Sequence, residues 1–320
     1  MDREVKYSFK DVFIIPQFSE ITSRSGVDTL YRLGGEYNLD TPVISANMDS
    51  ITGSEMAIAM WKAGGIGALH RFWTSAENVD AYLAVRNGLA DCFVSIGVND
   101  RQRATDLYNA GAKYFIIDIA AGHSGQMRDT LKWLTLEFQD IYVVAGNVAT
   151  PEAVKDLEDW GASAIKIGIG PGAACLTKNV TGVTYPQFSA IQECALVASV
   201  PIIADGGCTE IGDICKALGA GADMVMLGRM FAACKETPSI VINGQKVYRG
   251  MASRDAMKII RTDNLPTPEG ASIFITDTPT SAAEVVKDIK GGLQSSFSYT
   301  GAHTLMEFQT KVKFGIKASV

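Results

Sequence analysis

A single cysteine, Cys175, stands in the glycine-rich stretch AIKIGIGPGAACLTKNVTGVTYPQFS (164–189), where a hydrophobic run breaks into a loop. A thiol among exposed backbone donors, with the Thr177 hydroxyl two residues on and Lys178 beside it, has surroundings that favour a thiolate nucleophile. Of the other cysteines, Cys194, Cys215 and Cys234 lie in helical patterns and read as small core hydrophobes, while Cys208 ends a hydrophobic run and is the rival thiol. No CxxC pair occurs, so all six cysteines are expected as reduced thiols. Lys166 opens a second chemistry, because an amine in that run could form a Schiff base with a carbonyl substrate. Its plainer reading is a lysine salt-bridged between its strand and the outer helices. The 3 histidines lack the paired acidic spacing of a catalytic metal site, and GIGPGAAC lacks the GK[ST] ending of a P-loop.

The elements that must hold these residues follow from periodicity. From Pro42 on, short β-branched runs alternate with helix-period segments, the mark of parallel βα units. Candidate strands are 42–46, 65–70, 92–98, 114–120, 142–148, 164–170, 201–207 and 223–229. The segments between them open mostly on Thr, Ser or Asp, and several close on Gly, as helices do. Eight such units predict an α/β fold, a (β/α)8 TIM barrel, with the longest connection after strand six. Active sites of this fold gather at the carboxyl ends of the strands. That rule selects Asn47, Met48 and Asp49 after strand one, His70 and Arg71 after two, Asp118 and His123 after four, and Asn147 after five. It also selects Asp205, Gly206 and Gly207 after strand seven, with Gly228 and Arg229 after eight. Glycines there let backbone N–H groups approach an anion, so DGG and LGR suit a phosphate.

Residues 1–41 read as a hairpin-like lead-in. Residues 239–280 read as a small β-hairpin, signalled by Asn243-Gly244, followed by a mobile flap over the barrel mouth in RTDNLPTPEGAS (261–272). The whole, 1–320, is expected to be one catalytic barrel domain with no inserted nucleotide-sensing domain. The 320 residues are 47% hydrophobic with net charge −6 and no basic run, which argues against nucleic acid or an anionic membrane surface as partner. The N-terminus has no signal-peptide pattern and no apolar run reaches spanning length, so a cytoplasmic protein is expected.

Several segments together carry a family likeness: SANMDS (45–50), IDIAAGHS (117–124), VAGNVATPEA (144–153), KIGIGPGAACLT (166–177), GVTYPQ (182–187), ADGG (204–207), YRGMAS (248–253), PEG (268–270) and GGLQSSFSYTGA (291–302). On them the chain resembles the IMP dehydrogenase and GMP reductase family of purine nucleotide oxidoreductases over nearly its whole length. The resemblance implies a covalent mechanism in which Cys175 attacks purine C2, with Thr177 as hydroxyl partner in a proton relay and Glu269 as the supporting carboxylate. It implies a nucleotide site formed by Asp205 at the ribose, Gly206, Gly207, Gly228 and Arg229 at the phosphate, and Gly250, Met251, Ala252 and Gly270 at the base, with Met48 and Tyr248 alongside. It places the dinucleotide, NADPH, along Arg71, Asp118, Ile119, Ala120, Ile169 and Gly170. Ser23, Arg24, Ser295 and Ser298 resemble adenosine-end contacts, some given by a neighbouring subunit of a homotetramer. Backbone carbonyls of Gly170, Gly172 and Cys175 match a monovalent cation site, with potassium the candidate ion.

Within the family, the TGVTYPQ wording, the short flap and the missing inserted domain favour the reductase branch, in which GMP loses its 2-amino group as ammonia and is reduced to IMP. The flap also lacks the arginine and tyrosine that activate water in the dehydrogenase branch. GGIGALH and YRGMAS are worded more like that other branch, which converts IMP to XMP with NAD. Two departures stand out: Ala173 replaces a phosphate-binding serine, and Arg229 replaces Gly or Ser. The arginine either restores phosphate binding or marks a deoxy or modified purine nucleotide. A nucleotide-binding protein that has lost catalysis is the remaining class, opposed by the retention of Cys175, Thr177 and Glu269.

Overall fold

The computed structural model describes residues 4–260, 267–278 and 280–317. Its centre is a closed barrel of eight parallel strands: β1 (Val43–Ser45), β2 (Ile66–Leu69), β3 (Cys92–Ile96), β4 (Tyr114–Asp118), β5 (Tyr142–Val148), β6 (Ala164–Ile167), β7 (Ile202–Asp205) and β8 (Met224–Leu227). The ring closes where Val225 of β8 pairs with Val43 of β1. All eight expected strands are present, but every one except β5 stops short of its expected end, β6 by the most. Gly168, Gly170, Gly206 and Gly207 take positive φ, which turns the chain out of the strand and into the barrel mouth.

Helices pack outside the strands, and their starts obey the capping chemistry of the sequence. Thr74, Ser124 and Thr150 each accept a backbone N–H of the first turn, in the helices Ser75–Asn87, Gly125–Glu137 and Pro151–Asp159. The long connection after β6 contains a short helix, Thr177–Thr181, ended by Gly182 in the left-handed conformation.

The lead-in has a definite task. Strands Tyr31–Leu33 and Tyr37–Leu39 form an antiparallel hairpin whose buried Leu33 and Leu39 join the barrel-interior cluster of Ile44, Ile66, Phe93, Ile116, Val144 and Ile203. At its turn, Gly34 has φ +58, and a Cβ there would meet Tyr114 and Tyr142 at 3.3 Å. The hairpin therefore stoppers the amino-terminal mouth, leaving the carboxyl-terminal mouth for a ligand.

After β8 an antiparallel sheet of β9 (Val241–Ile242), β10 (Gln245–Arg249) and β11 (Ser272–Thr276) stands over the barrel. Asn243 and Gly244 both have positive φ, as a tight hairpin turn requires. Within the expected flap over 261–272, residues 269–271 are bound to neighbouring loops by backbone hydrogen bonds, and Ser272 begins β11. Residues 261–266 of that expectation lie outside the described residues. Among the described residues no helix is long and apolar enough to cross a membrane.

Candidate active site

The carboxyl-terminal mouth holds a cavity of about 470 Å³, within the range of small-molecule sites. Cys175 and Thr177 reach it from the long loop, and Glu269 from the segment before β11. The Cys175 Sγ lies 3.2 Å from the Thr177 Oγ1. Five of the six cysteines are buried, and Cys175 is the partly exposed one. Burial pushes the Cys215 thiol up to about 11 and those of Cys194 and Cys234 up to about 12, and raises Cys92 and Cys208 well above the ordinary value. Cys208 lines the cavity but is held as a neutral thiol, which removes it as a rival nucleophile. Lys178 is exposed on the short helix and does not line the cavity, so the cation expected beside the thiol is elsewhere.

Three loops meet behind the thiol. Leu176 N donates to Glu269 O at 2.7 Å, and Ala271 N donates to Ala174 O at 2.9 Å. Glu269 N and Gly270 N donate to Ala252 O, both at 3.0 Å, and Gly250 N donates to Ala271 O at 2.9 Å. The approach is close enough that a Cβ on Gly250 would stand 2.8 Å from Ala174 O, and one on Gly270 would stand 2.7 Å from Ser253 N. Residues distant in sequence are thus held in one backbone-bonded junction.

The cavity floor is an ionic cluster centred on Lys166. Its side chain points into the barrel, not toward the outer helices, because residues 164 and 166 of β6 share the inner face. Lys166 Nζ donates to Asp205 Oδ2 at 2.6 Å, to Asp118 Oδ1 at 3.0 Å, and to Asn147 Oδ1. Asn147 Nδ2 in turn donates to Asp205 Oδ2 at 3.0 Å and Gly168 O at 2.8 Å. Burial opposes the charge on Lys166, but the two carboxylates outweigh it and raise its pKa, so the amine stays protonated. A Schiff base needs the neutral amine, and this geometry withholds it. Burial likewise opposes the charge of Asp118, yet Lys166 and Arg71 hold its carboxyl below the usual range. Gly168 is obligatory here, since a Cβ would lie 2.0 Å from Asp205 O.

Above this floor, Met48, Asp205, Gly206, Gly207, Gly228, Arg229, Tyr248, Gly250, Met251, Ala252 and Gly270 all line the cavity. So do Arg71, Asp118, Ile119, Ala120, Ile169, Gly170 and Gly172. Arg229 is exposed, and its guanidinium makes no hydrogen bond or ion pair among the described residues. Arg71 Nε donates to Asp118 O at 3.2 Å, which draws its side chain across the strand ends. The carbonyls of Gly170 and Cys175 accept no hydrogen bond among the described residues, and that of Gly172 accepts only Cys175 N.

Of the residues that the family resemblance assigned, four are not in this cavity, and neither is Asp49. Ser23, Arg24, Ser295 and Ser298 sit apart from it, with Arg24 Nη1 donating to Ser295 Oγ at 3.0 Å. Neither His70 nor His123 lines it: His123 is exposed and paired with Asp156 at 2.7 Å, and His70 is buried against Trp73. Among the described residues no cluster of His, Cys, Asp and Glu could hold a metal. The sequence reads Lys166 as a Schiff-base amine or a partner of the outer helices and not as the cation of the cavity floor, and it leaves Met257 unassigned. The inward parity of β6 was available for Lys166, whereas Met257 belongs to a helix, Arg254–Ile260, that gives no such signal.

Comparison with known proteins matches residues 6–319 to the family model described as IMP dehydrogenase / GMP reductase domain. A GMP reductase of Buchnera aphidicola subsp. Schizaphis graminum is 37% identical, covering 98% of this chain and 95% of that protein. GMP reductase 1 of Mus musculus is 36% identical over 98% and 96% respectively. An inosine-5'-monophosphate dehydrogenase of Nitrosopumilus maritimus is 28% identical over 96% and 94%.

Proposed function

Because the chain belongs to the IMP dehydrogenase / GMP reductase family, we propose that it is a GMP reductase, converting GMP to IMP and ammonia through a covalent adduct on Cys175. The observation that carries this is the convergence of Cys175, Thr177 and the Glu269 segment on one cavity, with thiol and hydroxyl 3.2 Å apart. The higher identity to reductases than to the dehydrogenase supports the same branch.

In this reading the Cys175 thiolate adds to C2 of the purine, and the C2–N bond breaks as the amino group takes a proton and leaves as ammonia. An amide-like anion is a poor leaving group, so proton delivery decides that step. Thr177 and Glu269 carry it, the hydroxyl relaying the proton and the carboxyl group of Glu269 supporting that relay. When bound, NADPH supplies the hydride that reduces C2. The carbon–sulfur bond then breaks, the electron pair returns to Cys175, and IMP leaves.

Asp205 takes the ribose hydroxyls, oriented by Lys166 and Asn147. Gly207, Gly228 and Arg229 take the phosphate, and a bidentate contact from the guanidinium stands in for the hydroxyl that Ala173 lacks. Met48, Gly250, Met251 and Ala252 hold the base. Arg71, Asp118, Ile119, Ala120, Ile169 and Gly170 form the nicotinamide end of the dinucleotide site. Ser23, Arg24, Ser295 and Ser298 lie outside one chain's cavity, which suits contacts given to the adenosine end across a homotetramer interface. The unshared carbonyls of Gly170 and Cys175 fit a potassium ion, a ligand held by backbone oxygens.

The test is absorbance at 340 nm. The protein with GMP and NADPH should consume NADPH in proportion to ammonia formed, and Cys175→Ala should not. A rise with IMP and NAD instead would make it a dehydrogenase, and silence in both mixtures would leave a nucleotide-binding protein.

A further inference from the structure

Strand β10 carries Tyr248 into the cavity and Arg249 to its other side. The guanidinium of Arg249 grips Asp49, which directly follows Met48 in the loop after β1. Its Nε lies 3.0 and 2.9 Å from Asp49 Oδ1 and Oδ2, and its Nη2 also donates to Oδ2. Two further contacts join the same segments: Arg249 N donates to Ser50 Oγ at 3.3 Å, and Asp49 N lies 3.4 Å from the Met251 sulfur. The far end of β10 is held separately, where the buried Lys246 Nζ donates to Cys234 O at 2.5 Å and Thr237 Oγ1 at 3.0 Å.

Beyond Arg249 the chain enters the junction behind the thiol. Gly250 and Ala252 hydrogen-bond to residues 269–271, and those in turn bond to Ala174 and Leu176 on either side of Cys175. The chain from 254 to 268 separates the two ends of this junction, which are joined by the β10–β11 ladder, where Arg249 pairs with Ser272, so both ends take their place over the barrel from where β10 is anchored. The link from the barrel wall to the junction runs through the near end of β10, and its strongest element is a bidentate, half-buried ion pair.

We infer that Asp49 and Arg249 form a positioning brace, which fixes the Gly250–Ala252 segment to the loop after β1 and thereby sets the register of Glu269 against Cys175. Neither residue touches the reacting atoms. The brace deepens the reductase reading and rests on it for its kinetic consequence, but its structural consequence can be measured without any substrate.

The experiment compares wild type with Arg249→Met and Arg249→Lys by hydrogen exchange in the absence of nucleotide, and by GMP-dependent NADPH oxidation. Arg249→Met should exchange at least about tenfold faster in peptides covering 174–177 and 268–272, with barrel strands unchanged. Its kcat should fall about 10- to 100-fold, the usual consequence of a small misplacement of reacting groups, while KM for NADPH changes little. Arg249→Lys, whose ammonium reaches one carboxylate oxygen, should recover part of both losses. Should Arg249→Met fail to fold, Asp49→Asn keeps the shape and takes its place. Wild-type exchange in both peptides of a folded variant overturns the brace, as does exchange that rises evenly over the barrel. If the wild-type protein leaves GMP untouched, the reductase reading fails and the exchange data still decide the brace.

Discussion

Replacing Lys166 by methionine removes the one cation that two carboxylates of the cavity floor share. The lysine side chain is buried, while those of Asp118 and Asp205 remain 22% and 23% exposed. Deleting one member of a buried ion pair costs about 3–5 kcal/mol, and the partial access of water to both carboxylates places this case near about 3 kcal/mol. For a chain of this size that corresponds to a fall in Tm of roughly 4–5 °C near neutral pH. The pH dependence has a definite sign. In the wild type, burial opposes ionisation of Asp118, but Lys166 and Arg71 outweigh it and hold its folded pKa below the unfolded value of about 3.9. That stabilisation is therefore present above about pH 4 and is lost as pH falls through the folded pKa. In Lys166→Met, burial and the neighbouring Asp205 push Asp118 upward instead, so the variant relaxes its repulsion by taking up a proton. Thermal melts by circular dichroism between pH 4.5 and 8 should show the largest gap from wild type at the alkaline end, narrowing on acidification. GMP-dependent NADPH oxidation should fall about a hundredfold, since Asp205 loses its main anchor. A variant that melts within 1 °C of wild type throughout, or a gap that widens toward pH 4.5, would refute the account of the floor.

Other substitutions probe the walls. Arg229→Ala should raise KM for GMP about 10- to 100-fold, the worth of one charge-assisted contact of about 1.5–3 kcal/mol, with kcat within a few-fold; unchanged KM would show that the phosphate lies elsewhere. Glu269→Gln should slow ammonia release about 10²- to 10⁴-fold in rapid-quench experiments, and an unaltered release rate would remove the carboxylate from proton delivery. His70 has its pKa driven down to about 4, chiefly by burial, so it folds neutral and its stabilising contribution is lost progressively as pH falls from about 6.5 toward 4. His70→Asn, whose carbonyl can replace Nδ1 as acceptor for Phe72 N, should flatten that acid limb of the stability curve. An acid limb as steep as wild type's would mean that other groups carry it.

Much of this protein is written in local pattern. Alternating β-branched runs and capped helices specify eight βα units, and one enlarged connection marks the face where the thiol loop lies. These are short-range properties, governed by side-chain parity, capping and the tolerance of glycine for positive φ, so a linear reading reaches them. The likeness carried by the segments around Cys175, Thr177 and Glu269 named the residues, and the cavity brings all three to one mouth.

Direction and partnership were decided only in three dimensions. Lys166 reads in the sequence as a Schiff-base amine or a lysine paired with the outer helices, and its partners Asp118, Asn147 and Asp205 are set only once β6 closes into the ring beside β5 and β7. The lead-in carries no functional pattern, yet barrel closure leaves an open amino-terminal mouth that Leu33 and Leu39 fill. Ser23, Arg24, Ser295 and Ser298, expected as adenosine-end contacts given in part by a neighbouring subunit, lie outside this chain's cavity, where the short helix at 24–26 packs on the helix Ala282–Tyr299. Residues 269–271, at the end of the segment expected as a mobile flap, hydrogen-bond to neighbouring loops through carbonyls and amides that any sequence possesses, so no residue type could announce those contacts. Sequence by itself determined the barrel, the enlarged loop and the thiol within it. Tertiary structure decided which charges meet beneath that thiol and what holds the loops around it, because those depend on distances between segments that only closure of the barrel sets.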